Sequence, residues 1–155
     1  MPKVAEGKKI PAFAADATGQ QTIHSKELLG KNVVLYFYPK DDTPGCTREG
    51  QDFRDRYPRF CKLKTIVFGV SRNTVASHEK FKAKFEFPFE LLADPNEKLC
   101  KLFGVIKEKN MYGKKVLGIQ RSTFLIDKDG VLRKEWRNVK VPDHVEEVLA
   151  AVKGL

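Results

Sequence analysis

An apolar run that leads directly into a helix start is the feature that most constrains this chain. Residues 33–38 are apolar or aromatic, and apart from Leu35 each is β-branched or aromatic, which is typical of a buried strand. Pro39 ends the run. Thr43 and Pro44 then have the residue types of a helix N-cap and a first helical position. The sequence therefore predicts a buried strand, a short turn and a helix.

Cys46 falls in the first turn of this predicted helix. Free backbone N–H groups and the positive end of the helix dipole favour the ionised form of a thiol placed there. Because the ionised thiol is the reactive form, the sequence by itself indicates that Cys46 is a nucleophile.

The stretch from Tyr36 to Glu49 reads YFYPKDDTPGCTRE, in which Pro39, Thr43 and Cys46 form the pattern Pro-x-x-x-Thr-x-x-Cys. This pattern is the peroxidatic-cysteine motif of the peroxiredoxins. The longer string resembles their peroxiredoxin Q, or bacterioferritin comigratory protein, subgroup. Three more segments are similar in order and spacing: LLADP from residue 91, FGV from residue 103 and RSTFLID from residue 121. The resemblance therefore covers nearly the whole chain.

The resemblance implies a thiol-dependent peroxidase for hydrogen peroxide and organic hydroperoxides, with thioredoxin or a similar thiol as reductant and with no cofactor or metal. It gives Cys46 the attack on peroxide and Thr43 hydrogen bonds to the sulfur and the peroxide. It also places the family's site arginine at Arg121, where the alternative is a surface arginine at a strand start. Pro39 would shape the pocket and exclude water. Glu49 fits equally well as a partner that orients Arg121 and as an ordinary acid in a first helical turn.

Many members of the subgroup carry a second, resolving cysteine, and its two common positions hold Gln51 and Lys82 here. Along one continuous helix, Cys61 would lie about 20 Å from Cys46, whereas a disulfide needs Cα atoms within about 7 Å. Cys100 lies in an apolar segment and is only a weak candidate, since a lone cysteine there is typically a small buried residue. We therefore expect no resolving cysteine and a one-cysteine mechanism in which an external thiol reduces oxidised Cys46.

The remaining pattern predicts alternating strands and helices after an irregular lead-in at 1–12. We expect a hairpin at 13–23, a helical or turn segment at 24–29, further strands at 65–70, 87–93, 122–126 and 131–136, helices at 71–84, 95–103 and from 142, and a loop or weak strand at 105–120. Pro58 is expected to end or kink the first helix near Tyr57. This order predicts one α/β domain, residues 1–155, with a mixed central sheet, helices on both faces and an N-terminal β-hairpin extension. The resemblance implies that this is a thioredoxin-like fold.

The chain has a net charge of +9, from 29 basic and 20 acidic residues. Its lysines are dispersed among acids, which favours a solvated surface over nucleic-acid binding. Three widely spaced cysteines form neither a disulfide framework nor a metal-binding pattern. We find no signal-peptide core and no apolar run of membrane length, so we expect a cytoplasmic protein without a membrane partner. The resemblance favours a monomer.

Three alternatives stay open at this stage. Cys46 in a thioredoxin-like interaction module would act as a redox sensor without efficient turnover. Cys46 with one of the histidines would formally allow a cysteine hydrolase, although we expect His24 and His144 at the surface and His78 in packing or solvent. The lysine-rich segment 105–121 has a net charge of +4 and either steers an acidic reductant or is a solvated loop.

Overall fold

The computed structural model of this chain describes residues 3–155, so residues 1 and 2 of the expected lead-in lie outside the described part. The strands are β1 (Ala14–Ala17), β2 (Gln21–His24), β3 (Asn32–Phe37), β4 (Thr65–Ser71), β5 (Leu91–Ala93), β6 (Ile106–Met111), β7 (Lys114–Ile119), β8 (Ser122–Ile126) and β9 (Leu132–Arg137). The helices are α1 (Pro44–Lys62), α2 (Val75–Phe85), α3 (Lys98–Phe103) and α4 (His144–Lys153), and Ser25–Leu28 forms a short 3-10 helix.

Seven strands form one sheet in the order β2-β1-β5-β4-β3-β8-β9. β3 pairs in parallel with β4 and β4 in parallel with β5, whereas the other pairs are antiparallel. The β1–β2 hairpin extends one edge of the sheet, as expected. The result is the mixed sheet that the order of elements predicts.

The alternation of side chains along β3 divides the interior into two cores. One core contains Val33, Leu35 and Phe37, and the other contains Val34, Tyr36 and Tyr38, the residue that follows the strand. The first core is closed by α3 and the second by α1, α2 and α4. Helices therefore cover both faces of the sheet, and each fully buried side chain contributes roughly 1.5–3 kcal/mol.

The prediction that Pro58 ends the first helix near Tyr57 is wrong, because α1 continues to residue 62. A kink at Pro58 stays a prediction. A proline inside a helix costs about 3 kcal/mol. Phe53 and Phe60, which lie on either side of Pro58, are completely buried. Their burial contributes roughly 2–3 kcal/mol each. Tertiary packing of α1 therefore outweighs the local cost of the proline.

Several other strands and helices have bounds that differ from the predicted ones. Residues 106–119 form the β6–β7 hairpin, with Lys107 opposite Gly118 in register, where the sequence predicts a loop or a weak strand. The third helix begins at Lys98 rather than at Pro95, because Glu97 adopts a left-handed conformation with φ +61°. The carboxylate of Asp94 nevertheless accepts hydrogen bonds from backbone N–H groups in the first turn of α3.

The second helix begins at Val75 rather than at residue 71, because β4 continues through Ser71 and Thr74 forms the N-cap. β5 is limited to residues 91–93 and does not include the predicted aromatic segment from Phe87. The last helix begins at His144 rather than at residue 142.

We predict that Gly50→Ala destabilises the protein by about 1–3 kcal/mol, although alanine is ordinarily the better helix former. A Cβ at Gly50 would lie 2.4 Å from Cζ of Phe87. The Phe87 ring cannot easily move, because it stacks on Phe89 at 5.3 Å and meets Phe81 edge-on at 5.0 Å. Denaturant unfolding measures the change.

The matched control is Gly154→Ala, where the added Cβ would meet the carbonyl oxygen of Ala151 at an ordinary 3.6 Å. An unchanged or higher unfolding free energy for Gly50→Ala would contradict this account of the packing between α1 and Phe87.

Candidate active site

The chain passes from β3 through a short loop into α1, and this passage places Cys46 at a helix start. Thr43 is the N-cap, with φ −103° and ψ 156°, and Pro44 is the first helical residue. The first backbone bond of α1 runs from the N–H of Thr47 to the carbonyl of Thr43 at 2.8 Å. The N–H groups of Gly45 and Cys46 precede that bond, so they belong to the donors that a helix start directs outward. Cys46 itself is 2% exposed.

Arg121 reaches this helix start from the neighbouring strand. β8 runs antiparallel to β3 with Ser122 opposite Phe37, which puts Arg121 beside the point where the chain leaves β3. Its Nη2 donates to Sγ of Cys46 at 3.4 Å, and its Nη1 donates to Oε1 of Glu49 at 2.6 Å. One guanidinium therefore bridges the sulfur and a carboxyl group from the next turn of the same helix.

Gly45 is a residue of this site that the sequence did not single out. A Cβ at Gly45 would lie 3.2 Å from Nη2 of Arg121. The absence of a side chain therefore lets the guanidinium lie close against the helix start beside the sulfur. The only signal in the sequence is the position of the glycine, between Pro44 and Cys46.

Glu49 is completely buried. Burial raises the pKa of its carboxyl group from the ordinary 4.5 to about 7, although the charge and hydrogen bond of Arg121 act in the opposite direction. Within residues 3–155 its second oxygen, Oε2, is buried without a hydrogen-bond partner. Burial also disfavours the charged guanidinium of Arg121, but Glu49 and Cys46 outweigh it and raise the pKa of Arg121.

Thr43 and Pro39 lie in the loop that precedes Cys46. The hydroxyl of Thr43 donates to the carbonyl of Lys40 at 2.9 Å rather than to the sulfur, so its donor proton is already used. Pro39 is half-buried and directly follows the buried Tyr38. The structure thus brings Cys46 into direct contact with Arg121, and Arg121 with Glu49, and keeps the other two predicted residues in the adjoining loop.

The other two cysteines lie in different surroundings. All three cysteines are free thiols. Cys61 is exposed in the last turn of α1, so it lies about 20 Å along the same continuous helix from Cys46. Cys100 is completely buried. Burial, together with the neighbouring carboxylate of Asp94, raises the pKa of Cys100 far above its usual range, which keeps this thiol protonated and unreactive.

Two histidines are buried, and for one of them, His144, the sequence predicts the opposite. His144 is only 4% exposed, and its Nε2 lies 2.8 Å from Oγ1 of Thr123, so the expected surface position is wrong. Burial and the charge of Arg121 lower the pKa of His144 to about 4, so the ring is neutral near pH 7. His78 is completely buried and bonds to Asp41 and to the carbonyl of Leu92. Both rings therefore have partners other than Cys46.

The β6–β7 hairpin borders the site on one side. Burial and the positive charges of Arg121 and Arg72 lower the pKa of Lys109. Arg72, after β4, donates to the carbonyl of Leu117 in β7 at 3.5 Å. Tyr112 and Leu117 of the hairpin are exposed to solvent.

Within the described residues we find no group of three or more acidic, histidine or cysteine side chains arranged to hold a metal ion. No helix in that part is long and apolar enough to span a membrane.

Comparison with known proteins identifies the family of this chain. A family model described as the AhpC/TSA family matches residues 6–135. Peroxiredoxin Bcp of Bacillus subtilis is 48% identical over 149 residues, which are 96% of this chain and 95% of that protein. The bacterioferritin comigratory protein of Xanthomonas campestris, solved in work on its alkyl peroxide reduction activity, has a TM-score of 0.88 and 48% identity, covering 92% of this chain and 90% of that one. A mutant of PrxQ from Xylella fastidiosa has a TM-score of 0.93 and 42% identity, covering 97% and 96%.

The chain belongs to the AhpC/TSA family and, within it, to the peroxiredoxins of the Q, or Bcp, group. Proteins of this group are thiol-dependent peroxidases, so the enzyme class predicted from the sequence is confirmed. The thioredoxin-like fold is confirmed by the same structural neighbours.

We predict that Glu49→Gln removes a pH-dependent part of the stability. The carboxyl of Glu49 has a pKa of about 7 in the folded protein against 4.5 ordinarily, so folding takes up a proton between these values. Stability from this group is complete below about pH 4.5 and is lost as the pH rises through about 7. The unfolding free energy of the wild type, minus that of the variant, should fall by about 3 kcal/mol from pH 4.5 to 8.

Denaturant titrations of both proteins at a series of pH values measure this difference. A difference that rises with pH would show instead that Arg121 dominates and holds the pKa of Glu49 below its ordinary value.

Proposed function

We propose that this peroxiredoxin reduces hydrogen peroxide and small organic hydroperoxides by a one-cysteine mechanism. Cys46 is the peroxidatic nucleophile, and a thiol from another molecule regenerates it. The observation that carries the proposal is the position of the Arg121 guanidinium, 3.4 Å from the Cys46 sulfur at the start of α1.

In the first step the ionised sulfur of Cys46 attacks one oxygen of the hydroperoxide. An S–O bond forms and the O–O bond breaks. With one proton the products are a sulfenic acid on Cys46 and water or an alcohol. Arg121 stabilises both the ionised sulfur and the charge that develops on the departing oxygen, and the N–H groups of Gly45 and Cys46 add donors at the same place.

In this proposal Thr43 binds the peroxide and Pro39 shields it from water. Because the hydroxyl of Thr43 donates to the carbonyl of Lys40, its oxygen is left to accept a hydrogen bond from the O–H of the peroxide. The half-buried ring of Pro39 limits the access of water to the pocket. Glu49 orients the guanidinium of Arg121 through its hydrogen bond of 2.6 Å.

In the second step an external thiol attacks the sulfenic acid, a mixed disulfide forms and water leaves, and a second thiol then releases Cys46. Gln51 and Lys82 occupy the two common resolving positions. Because Cys46 is only 2% exposed, the first turn of α1 must open to admit the thiol. We propose thioredoxin, or a similar dithiol protein, as the reductant, and the lysine-rich β6–β7 hairpin beside the site favours a reductant with an acidic surface.

The same proposal covers the domain organisation, the oligomeric state and the cellular location of the enzyme. We infer a single thioredoxin-like domain over residues 1–155, since one sheet supports both cores. We further infer a monomer in the cytoplasm, where a reducing environment keeps the three free thiols reduced. Neither a nucleic acid nor a membrane is a partner in this proposal.

The function is tested by steady-state peroxide consumption with dithiothreitol or with thioredoxin and its reductase. We predict many turnovers for the wild type, none for Cys46→Ser, and little change for a double variant with Cys61→Ser and Cys100→Ala, because neither thiol takes part.

Loss of turnover in the double variant, with folding intact, would mean that an internal cysteine resolves Cys46. A wild type that oxidises once and then stops with every thiol donor would favour the redox-sensing module over the enzyme.

A further inference from the structure

A second buried polar cluster lies beside the site, in the loop between β3 and α1. The carboxylate of Asp41 is at its centre, and Asp41 is only 6% exposed. Its Oδ1 accepts from the hydroxyl of Tyr38 at 2.6 Å. Its Oδ2 accepts from Oγ of Ser77 at 2.7 Å and lies 2.7 Å from Nδ1 of His78. The backbone N–H of Asp41 donates to Oδ1 of Asn73 at 3.1 Å. Two side chains of α2 thus hold one residue of the loop.

The geometry fixes the number of protons on His78. Its Nε2 lies 2.9 Å from the carbonyl oxygen of Leu92, which can only accept, so Nε2 carries a proton. Its Nδ1 faces a carboxylate oxygen of Asp41, so a second proton must lie between these two atoms. A neutral imidazole supplies only one proton.

The second proton belongs to the imidazole, because the surroundings of Asp41 favour its charged form. Tyr38 and Ser77 both donate to the carboxylate. Hydrogen bonds donated to the charged form of a carboxyl group favour that form, so these two bonds keep Asp41 ionised. The pair is therefore a buried imidazolium and carboxylate.

This ion pair anchors the loop from Pro39 to Thr43, which carries the groups proposed to bind peroxide. Asp41 lies two residues after Pro39 and two residues before Thr43. Between Asp41 and Thr43, Asp42 has a left-handed conformation with φ +56°, which is uncommon for a residue with a side chain. α2 supplies a second, exposed tether, from Nζ of Lys84 to Asp42 at 2.8 Å.

We propose that His78 is a positioning residue for peroxide reduction. Held as an imidazolium, it pairs with Asp41, fixes the loop from Pro39 to Thr43 against α2 and so aligns Thr43 and the helix start at Cys46 for the peroxide. The proposal rests on the proposed function, because the loop matters only where Cys46 reacts with peroxide.

Two substitutions of His78 separate this role from simple packing. In His78→Asn the amide nitrogen takes the place of Nδ1 and still donates to Asp41. In His78→Gln the amide reaches the place of Nε2 and still donates to the carbonyl of Leu92, but the bond to Asp41 is lost. The measurement is the rate of Cys46 oxidation in rapid mixing with hydrogen peroxide, together with the unfolding midpoint of each variant.

We expect His78→Gln to slow the oxidation of Cys46 by roughly tenfold to a hundredfold, since a misplacement of about 1 Å can cost 10²-fold. We expect His78→Asn to stay within about threefold of the wild type, because the loop contact is kept. Equal losses in both variants, or no loss in either, would overturn the proposal. A wild type that peroxide does not oxidise at Cys46 would instead overturn the proposed function.

A measurement on the wild type does not depend on the folding of the variants. Nitrogen-15 NMR of the His78 ring at neutral pH should show a proton on both nitrogens. A ring with one unprotonated nitrogen would overturn the assignment of the imidazolium.

Discussion

The guanidinium of Arg121 joins the reactive sulfur to the buried carboxyl of Glu49, and the rest of the site depends on this bridge. Arg121 is fixed because it directly precedes β8, whose register with β3 is set by two buried cores. Cys46 and Glu49 are fixed because they lie one turn apart on α1. A central strand, its antiparallel neighbour and one helix start therefore define the positions of all three groups.

Two opposing effects determine whether the carboxyl of Glu49 in this bridge is neutral or ionised. Burial favours the neutral carboxyl of Glu49, whereas Arg121 favours its ionised form. In the proposed mechanism, when Glu49 is neutral, the positive charge of Arg121 is left for the sulfur and the departing oxygen of the peroxide. When Glu49 is ionised, part of that charge is neutralised. In the proposed mechanism the protonation of Glu49 thus sets how much positive charge the reacting atoms experience.

Local patterns were sufficient to predict the elements that carry the nucleophile. The apolar run of β3, Thr43 at the N-cap and Pro44 at the first helical position depend on neighbours in sequence, and the structure has all three. Pro58 misled the prediction because its local penalty is offset by packing against distant parts of the chain. The β6–β7 hairpin was predicted only as a loop or weak strand, because its lysine-rich, mostly exposed strands lack the alternation of a half-buried sheet.

The hydrogen-bond partners of the buried histidines could not be predicted from their own surroundings in the sequence. His78 meets Asp41 across 37 residues, and His144 meets Thr123 across 21. Gly45 is part of the site only because Arg121, far along the chain, packs against it. In each case the chemistry of the residue is set by a partner that only the tertiary fold brings near.

The one-cysteine mechanism is tested most directly by the intact mass of the protein after one equivalent of hydrogen peroxide, with Cys46→Ser as the control. The mechanism predicts a gain of one oxygen atom that is absent in the control, which corresponds to a sulfenic acid on Cys46. A loss of two hydrogen atoms would mean an internal disulfide with Cys61 or Cys100. No change in mass would contradict the assignment of Cys46 as the peroxidatic residue.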